Sequence, residues 1–416
     1  MFTKLPAWRN ASLADTLPEN VKSREVEHRD GSGPRSYVNH PPDAGCVLEE
    51  EKPGAHHERG PVKRKNGYDI VDYIFPKYNP YDTSPKNDKG VDHDLRNAQM
   101  DLRMAEIEEA YEILRLINDG RGEAVATRNL RHKGSKASSS HGLKEVDWAV
   151  WKDRIHLDHV TALGHSFGAA TTVEMLRHRD RFNWIGQGII YDIWGAGTRP
   201  REEVDPKQRN HCPILAIDSE AFTYWPSNYD LVQSLVDEAQ KHSPAWLVTV
   251  RGTVHISQSD FSLLYPHVCS LFLKTTANPR RALDLNINTS LEFLKLVMPH
   301  IPPQIRDAFP REGILNQKLS KLDEIPTSQL HRPKEKFTAS RLRIRHEFLW
   351  RTAPALARRK TKEQIIAEGG EVGKEVWVHT KPSEEKLKAY QERRHVDQRH
   401  LDASKDARES SVVVPS

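Results

Sequence analysis

The sequence has few cysteines and no long hydrophobic run. Its 416 residues include three cysteines, Cys46, Cys212 and Cys269, which are odd in number and far apart. They exclude a disulfide framework and lack the C-x-x-C spacing of a zinc or redox motif. No segment approaches the ~20 consecutive apolar residues of a membrane-spanning helix, and the first 30 residues lack the apolar core of a signal peptide. We therefore predict a cytoplasmic protein with reduced thiols.

Positively and negatively charged residues are also nearly equal in number. The chain has 62 Lys and Arg against 58 Asp and Glu, a net charge of +4, which gives no argument for a nucleic-acid partner. The segment 331–362 is a local exception, with eleven Lys and Arg against two Glu. Two interpretations stay open for it: a solvated tail, or peripheral contact with an anionic membrane surface.

Apolar residues are scarce for a chain of this length. They make up 37% of the sequence, against 29% charged residues and 26 prolines, which is too polar for a single tightly packed body. We predict an unstructured N-terminus at 1–20, an α/β domain at 21–310 with a polar insertion at 46–90, and a charged extension at 311–416 that is largely disordered or helical. Beyond about residue 310 the chain is charged and weakly periodic, apart from a short helix predicted at 386–394.

Hydrophobic periodicity predicts a long helix followed by alternating strands and helices. The long helix spans 97–118 and is closed by Asp119-Gly120. Short apolar strands that alternate with helices are typical of a parallel sheet covered on both faces, so the fold class is α/β. The predicted strands are 160–163, 188–191, 214–217 and 246–250, and the predicted helices after them are 231–239, 261–274 and 290–297.

The strongest motif is Gly164-x-Ser166-x-Gly168, which stands between a predicted strand and a predicted helix. In a nucleophile elbow the glycines leave room for a strained turn that projects the serine hydroxyl above the sheet. The backbone N–H of Phe167 would then be one donor to an oxyanion. The alternative is an ordinary glycine-rich strand-to-helix turn.

An elbow requires an acid and then a histidine later in the chain. His255 is the one histidine after Ser166 that follows a predicted strand, so we predict that it is the general base. Asp192 and Asp218 each follow a predicted strand. Position along the chain alone leaves both as candidates for the acid.

Several motifs, in one order, resemble the platelet-activating factor acetylhydrolase family of the plasma and isoform II type. The similarity runs from about residue 26 to about residue 297 and is interrupted by the insertion at 46–90. The motifs that carry it are Glu27-His28-Arg29-Asp30-Gly31-Ser32, Arg96-Asn97, Gly164-His165-Ser166-Phe167-Gly168-Ala169-Ala170, Ile190-Tyr191-Asp192-Ile193-Trp194, Asp218-Ser219-Glu220-Ala221-Phe222 and Arg251-Gly252-Thr253-Val254-His255.

The resemblance implies an α/β-hydrolase fold and hydrolysis of a short acyl group from the sn-2 position of a phospholipid, without calcium or another cofactor. It places the nucleophile, acid and base at Ser166, Asp192 and His255, and leaves Asp218 as a second acid candidate. Trp194 lies near the acid, where it could contact the acyl group or pack in the core.

The family pattern also includes strands and a His-Gly-Leu-Gly-like loop ahead of the Glu27 turn, for which the first 25 residues carry no pattern. We therefore predict an N-terminally truncated member. Two alternatives to the phospholipid esterase follow: a catalytically inactive relative that acts as an interaction protein, and a general short-chain carboxylesterase.

Other polar clusters have plainer interpretations. His156 and His159 have no evident third ligand, so we predict no metal site. Asp92-His93-Asp94 is typical of the charged N-terminus of a helix, and Glu27 to Asp30 is typical of an ion-paired turn.

Overall fold

The computed structural model describes residues 91–128, 146–199, 201–269, 275, 277–298, 312–320 and 375–394, together with four short strands nearer the N-terminus. Those strands form two antiparallel pairs, Lys22–Ser23 with Asn39–His40 and Arg35–Tyr37 with Ile70–Asp72. The chain divides into two units, residues 1–157 and 158–416, which are described separately below.

The first unit contains the predicted long helix. Helix α1, His93–Leu116, begins at Asp92, whose carboxylate accepts a hydrogen bond from the backbone N–H of Leu95 at 3.2 Å. Asp92 is therefore a helix cap, as the charged cluster indicated. The chain continues through a π-helical turn, Ile117–Arg121, into α2, Gly122–Arg128, and a 3-10 turn follows at Trp148–Trp151.

The second unit is built on a five-stranded sheet. Four strands are parallel, and the fifth is antiparallel to its neighbour. In spatial and chain order they are β1 Val160–His165, β2 Ile185–Tyr191, β3 Ile214–Ser219, β4 Ala245–Val250 and β5 Val376–Thr380. The four predicted strands are thus confirmed, and the mostly parallel sheet is that of an α/β hydrolase.

Helices connect and cover these strands. They are α3 Phe167–Arg177, α4 Glu220–Thr223, α5 Pro226–Gln240, α6 Phe261–Leu264, α7 Pro266–Val268, α8 Pro279–Val297 and a final helix at 384–394. Strands β2 and β3 are almost wholly buried, as expected for a parallel sheet with helices on its faces.

The predicted continuous helix at 261–274 is wrong. The structure breaks it into α6 and α7 at Tyr265, whose φ of −130° and ψ of 57° are not helical. Pro266 explains the break, because its ring lacks a backbone N–H and disfavours helical geometry in the preceding residue. Residues 270–274 lie outside the described part of the chain.

Strand β5 was not predicted. It pairs with β4 from Leu247↔Thr380 to Val250↔Val376, and its Val376 and Val378 are fully buried in the main core. Ile314 and Leu315 lie in the same core. Segments beyond residue 310 therefore contribute a strand to the sheet and side chains to its core. The division of the chain into domains at residue 310 stays a prediction.

Candidate active site

Ser166 lies at a sharp turn between β1 and α3. Its φ of 59° and ψ of −120° are unfavourable for any residue with a side chain. Its N–H donates to the carbonyl of Tyr191 at 3.0 Å, and its carbonyl accepts from the N–H of Trp194 at 3.1 Å. The turn is thus held by the end of β2 and the segment that follows it, which is the geometry expected of a nucleophile elbow.

The two glycines of the motif have different roles. A Cβ at Gly164 would lie 2.1 Å from the carbonyl oxygen of Gly168, so the close approach of strand and helix requires glycine. A Cβ at Gly168 would meet nothing within 4 Å. Packing therefore requires glycine at position 164, whereas position 168 has room for a side chain.

Asp192 directly follows β2 and is fully buried. One carboxylate oxygen accepts from the backbone N–H of Ser219 at 2.6 Å, and the other accepts from the Ser219 hydroxyl at 2.7 Å. Asp192 accepts in both contacts, because Ser219 supplies an N–H and an O–H donor. Ser219 therefore fixes both the position and the orientation of Asp192.

His255 begins the 3-10 turn His255–Gln258 after β4. Its Nδ1 lies 3.2 Å from the Asp192 carboxylate, and its side chain is 30% exposed. An ionised carboxylate can only accept, so this contact assigns the proton to Nδ1 and leaves Nε2 as the proton acceptor. The pair has the geometry of the acid and base of a triad.

Two rings enclose the His255 imidazole. Phe222 stacks on it with centroids 4.5 Å apart and planes 9° apart, and His165 lies against it at 4.3 Å with planes 34° apart. Burial and the neighbouring His255 lower the pKa of His165, while Asp192 opposes that shift. Sequence reasoning missed both rings, although His165 lies inside the elbow motif.

Asp218, the second acid candidate, lies within β3 and is buried. Burial, and then the adjacent Asp192 carboxylate, raise its pKa well above the ordinary aspartate value. Among the described residues, the carboxylate hydrogen-bonded to His255 is that of Asp192. The structure thus pairs the histidine with the first candidate and keeps the second as a buried neighbour.

Phe167 and Trp194 lie beside the elbow and contact each other. Their rings are 5.7 Å apart in an edge-to-face arrangement, and Trp194 is half-buried. Phe167 is the first residue of α3, so its N–H belongs to the helix N-terminus, where negative charge is favoured. This position suits the oxyanion donor that the sequence predicted.

The remaining sequence candidates do not gather around this site. Within the described residues, the one cluster of three potential metal ligands is His165, Asp192 and His255, and it includes neither His156 nor His159. The Glu27 to Asp30 turn and the basic segment 331–362 lie outside the described residues. Among the helices that the structure describes, none is both long and apolar enough to cross a membrane.

Comparison with known proteins gives one family. The sequence model of platelet-activating factor acetylhydrolase, isoform II, matches residues 24–299, more than half of the chain. Two similar relatives are named platelet-activating factor acetylhydrolase: one from Gallus gallus, 30% identical over 153 residues, and one from Bos taurus, 31% identical over 205 residues. These alignments cover 36% and 48% of this chain but only 34% and 40% of the relatives, so the chain spans well under half their length. The chain belongs to the platelet-activating factor acetylhydrolase isoform II family.

Proposed function

We propose that this protein is a serine esterase that removes a short acyl group, such as acetyl, from the sn-2 position of a phospholipid without calcium. The observation that carries this proposal is the Asp192–His255 pair, 3.2 Å apart, at the same sheet edge as the strained Ser166 turn. Family membership and the names of the relatives support the hydrolytic reaction and the lipid substrate.

The proposed reaction uses each group in a separate role. Ser166 Oγ attacks the ester carbonyl while Nε2 of His255 takes its proton, and Asp192 stabilises the imidazolium that forms. The N–H of Phe167 donates to the oxyanion. His255 then returns the proton to the leaving lysophospholipid alkoxide, and water, activated in the same way, hydrolyses the acyl-enzyme to the free carboxylate.

The preference for a short acyl group is proposed from the aromatic pair beside the elbow. Gly197 packs against the Phe167 ring, since a Cβ at position 197 would lie 2.7 Å from that ring. Two aromatic rings beside the elbow would limit the length of the acyl chain that fits near Ser166. The phospholipid is the proposed partner, and cytoplasmic location and contact with a lipid surface stay predictions.

The test compares substrates with a matched inactive variant. Purified wild type and Ser166→Ala are assayed with 1-alkyl-2-acetyl-glycerophosphocholine, its 2-palmitoyl analogue and p-nitrophenyl acetate, with and without a calcium chelator. We expect chelator-insensitive turnover that depends on Ser166 and that is at least about tenfold faster for the acetyl than for the palmitoyl phospholipid.

Other outcomes distinguish the alternatives. Turnover of the simple acetyl ester with no preference for the phospholipid would identify a general carboxylesterase. Equal, near-background rates for wild type and Ser166→Ala would identify an inactive relative and overturn the proposal.

A further inference from the structure

His165 adds a third metal-binding atom to the Asp192–His255 pair. One nitrogen or oxygen from each of the three side chains lies within 4.8 Å of the other two. Nε2 of His165 is shielded from solvent and has no hydrogen-bond partner among the described residues. A buried ring nitrogen without a partner loses hydration and gains nothing in return, unless another group can use it.

The geometry suits a tetrahedral cation. Zinc binds nitrogen and carboxylate oxygen at about 2.1 Å, so two such ligands 3.2 Å apart subtend an angle of about 100° at the metal, close to tetrahedral. The Asp192 oxygen and His255 Nδ1 have this separation. A ring nitrogen of His165 that lies within 4.8 Å of both other ligand atoms adds a second imidazole. Two imidazoles and one carboxylate are a donor set that suits zinc better than calcium or magnesium.

We propose that His165, Asp192 and His255 form an inhibitory site for a divalent transition metal, Zn²⁺. The inhibitory effect rests on the proposed esterase function, whereas binding does not. When the metal occupies Nδ1 of His255, the imidazole proton moves from Nδ1 to Nε2. Nε2 then has no lone pair for the proton of Ser166, so the nucleophile is no longer activated.

The surroundings of the three side chains support entry and retention of the cation. The His255 side chain is 30% exposed, which gives a route from solvent, and the buried Asp192 carboxylate supplies a compensating negative charge. The two hydrogen bonds from Ser219 leave a lone pair of that carboxylate for the metal, and they orient it as second-shell donors do in metal sites.

The first measurement is binding, which needs no turnover. Equilibrium dialysis against micromolar ZnCl₂ compares three proteins. They are the single variant Ser166→Ala and two double variants, in which Ser166→Ala is combined with His165→Phe or with His165→Asn. His165→Phe keeps a ring against His255, whereas His165→Asn removes the ring without adding bulk. If one variant fails to fold, as judged by circular dichroism, the other still tests the site. We expect both double variants to lose one equivalent of zinc.

The second measurement is inhibition of the chain with Ser166 intact. Each variant is titrated with ZnCl₂, normalised to its own metal-free rate, and then treated with EDTA. Removing a second-shell partner costs about 10–100-fold in metal affinity, so loss of the ligand at His165 should raise the inhibitory concentration at least about tenfold.

A matched control is available at the opposite edge of the sheet. His242 precedes β4, and its exposed side chain stacks on the half-buried His211 with ring centroids 3.8 Å apart, so the chain offers a second pair of neighbouring histidines away from the proposed site. His242→Ala should leave the inhibitory concentration unchanged. Unchanged zinc stoichiometry in both His165 double variants would overturn the proposal whether or not the chain is an esterase. Equal inhibition of wild type and the His165 variants by zinc would also overturn it.

Discussion

Replacing Asp192 by asparagine tests the assignment of the acid at almost constant shape. The Ser219 N–H donates to one oxygen of Asp192 at 2.6 Å, so the amide oxygen of the asparagine should keep that position. Its NH₂ group then faces the Ser219 hydroxyl and Nδ1 of His255. The hydroxyl can turn to accept, whereas the imidazole can accept only by moving its proton to Nε2.

The expected loss of activity is large because the tautomer is wrong. A histidine protonated at Nε2 cannot take the proton of Ser166, and the corresponding change in a serine protease lowers kcat by ~10⁴. That factor is about 5.5 kcal/mol of transition-state stabilisation. We therefore predict that Asp192→Asn lowers kcat for p-nitrophenyl acetate by ~10⁴ while the free energy of unfolding changes by less than about 2 kcal/mol, because the two Ser219 contacts survive.

Asp218→Asn is the matched control, since it replaces a buried aspartate on the adjacent strand with the same isostere. Steady-state kinetics and urea unfolding are measured for both variants. Asp192 is not the acid if Asp192→Asn retains kcat within about tenfold of wild type, or if Asp218→Asn has the larger effect on kcat while both proteins are folded.

Three further predictions concern stability. Gly164→Ala should lower the free energy of unfolding by about 3 kcal/mol or more, because its Cβ would lie 2.1 Å from a carbonyl oxygen. Gly168→Ala, at an open helical position, should raise it by about 0.5–1 kcal/mol. Urea unfolding of both variants measures the two changes, and equal effects would contradict the elbow packing. Burial and Asp192 raise the pKa of Asp218, so its contribution to stability is complete below about pH 3.9 and is lost as the pH rises through the raised folded pKa. The stability of Asp218→Asn relative to wild type should therefore grow with pH in a series of unfolding curves, and a constant difference would contradict the burial. Val378→Ala should cost about 2 kcal/mol because this fully buried side chain packs in the main core, and a change under about 0.5 kcal/mol in the unfolding free energy would show that β5 is not part of the cooperative fold.

The sequence was sufficient where one local pattern determines the structure. Strands β1 to β4 are apolar runs between turn residues, which makes them recognisable, and β2 to β4 are largely apolar because both of their faces are buried. The elbow was equally readable, because Gly164 must be small and Ser166 must take an unusual backbone conformation for the strand to turn into the helix. The fold class followed from these elements.

The sequence was insufficient where distant segments meet. Strand β5 is only five residues long and takes its stability from pairing with β4, some 130 residues earlier, which no local pattern reveals. Asp192 and Asp218 both follow or end a strand, so position along the chain left both open. The family resemblance favoured Asp192, and the approach of the His255 turn brings the histidine to that residue. The rings of His165 and Phe222 likewise reach His255 through the fold, so their contact with it could not be predicted from spacing.

Covalent trapping would show whether Ser166 is an activated nucleophile. Wild type and Ser166→Ala are incubated with a fluorophosphonate, which phosphonylates activated serines, and the peptides are identified by mass spectrometry. We expect a single stoichiometric adduct on Ser166 that is absent from Ser166→Ala and strongly reduced in His255→Ala. No adduct on folded wild type, or an adduct on another residue that persists in Ser166→Ala, would contradict it.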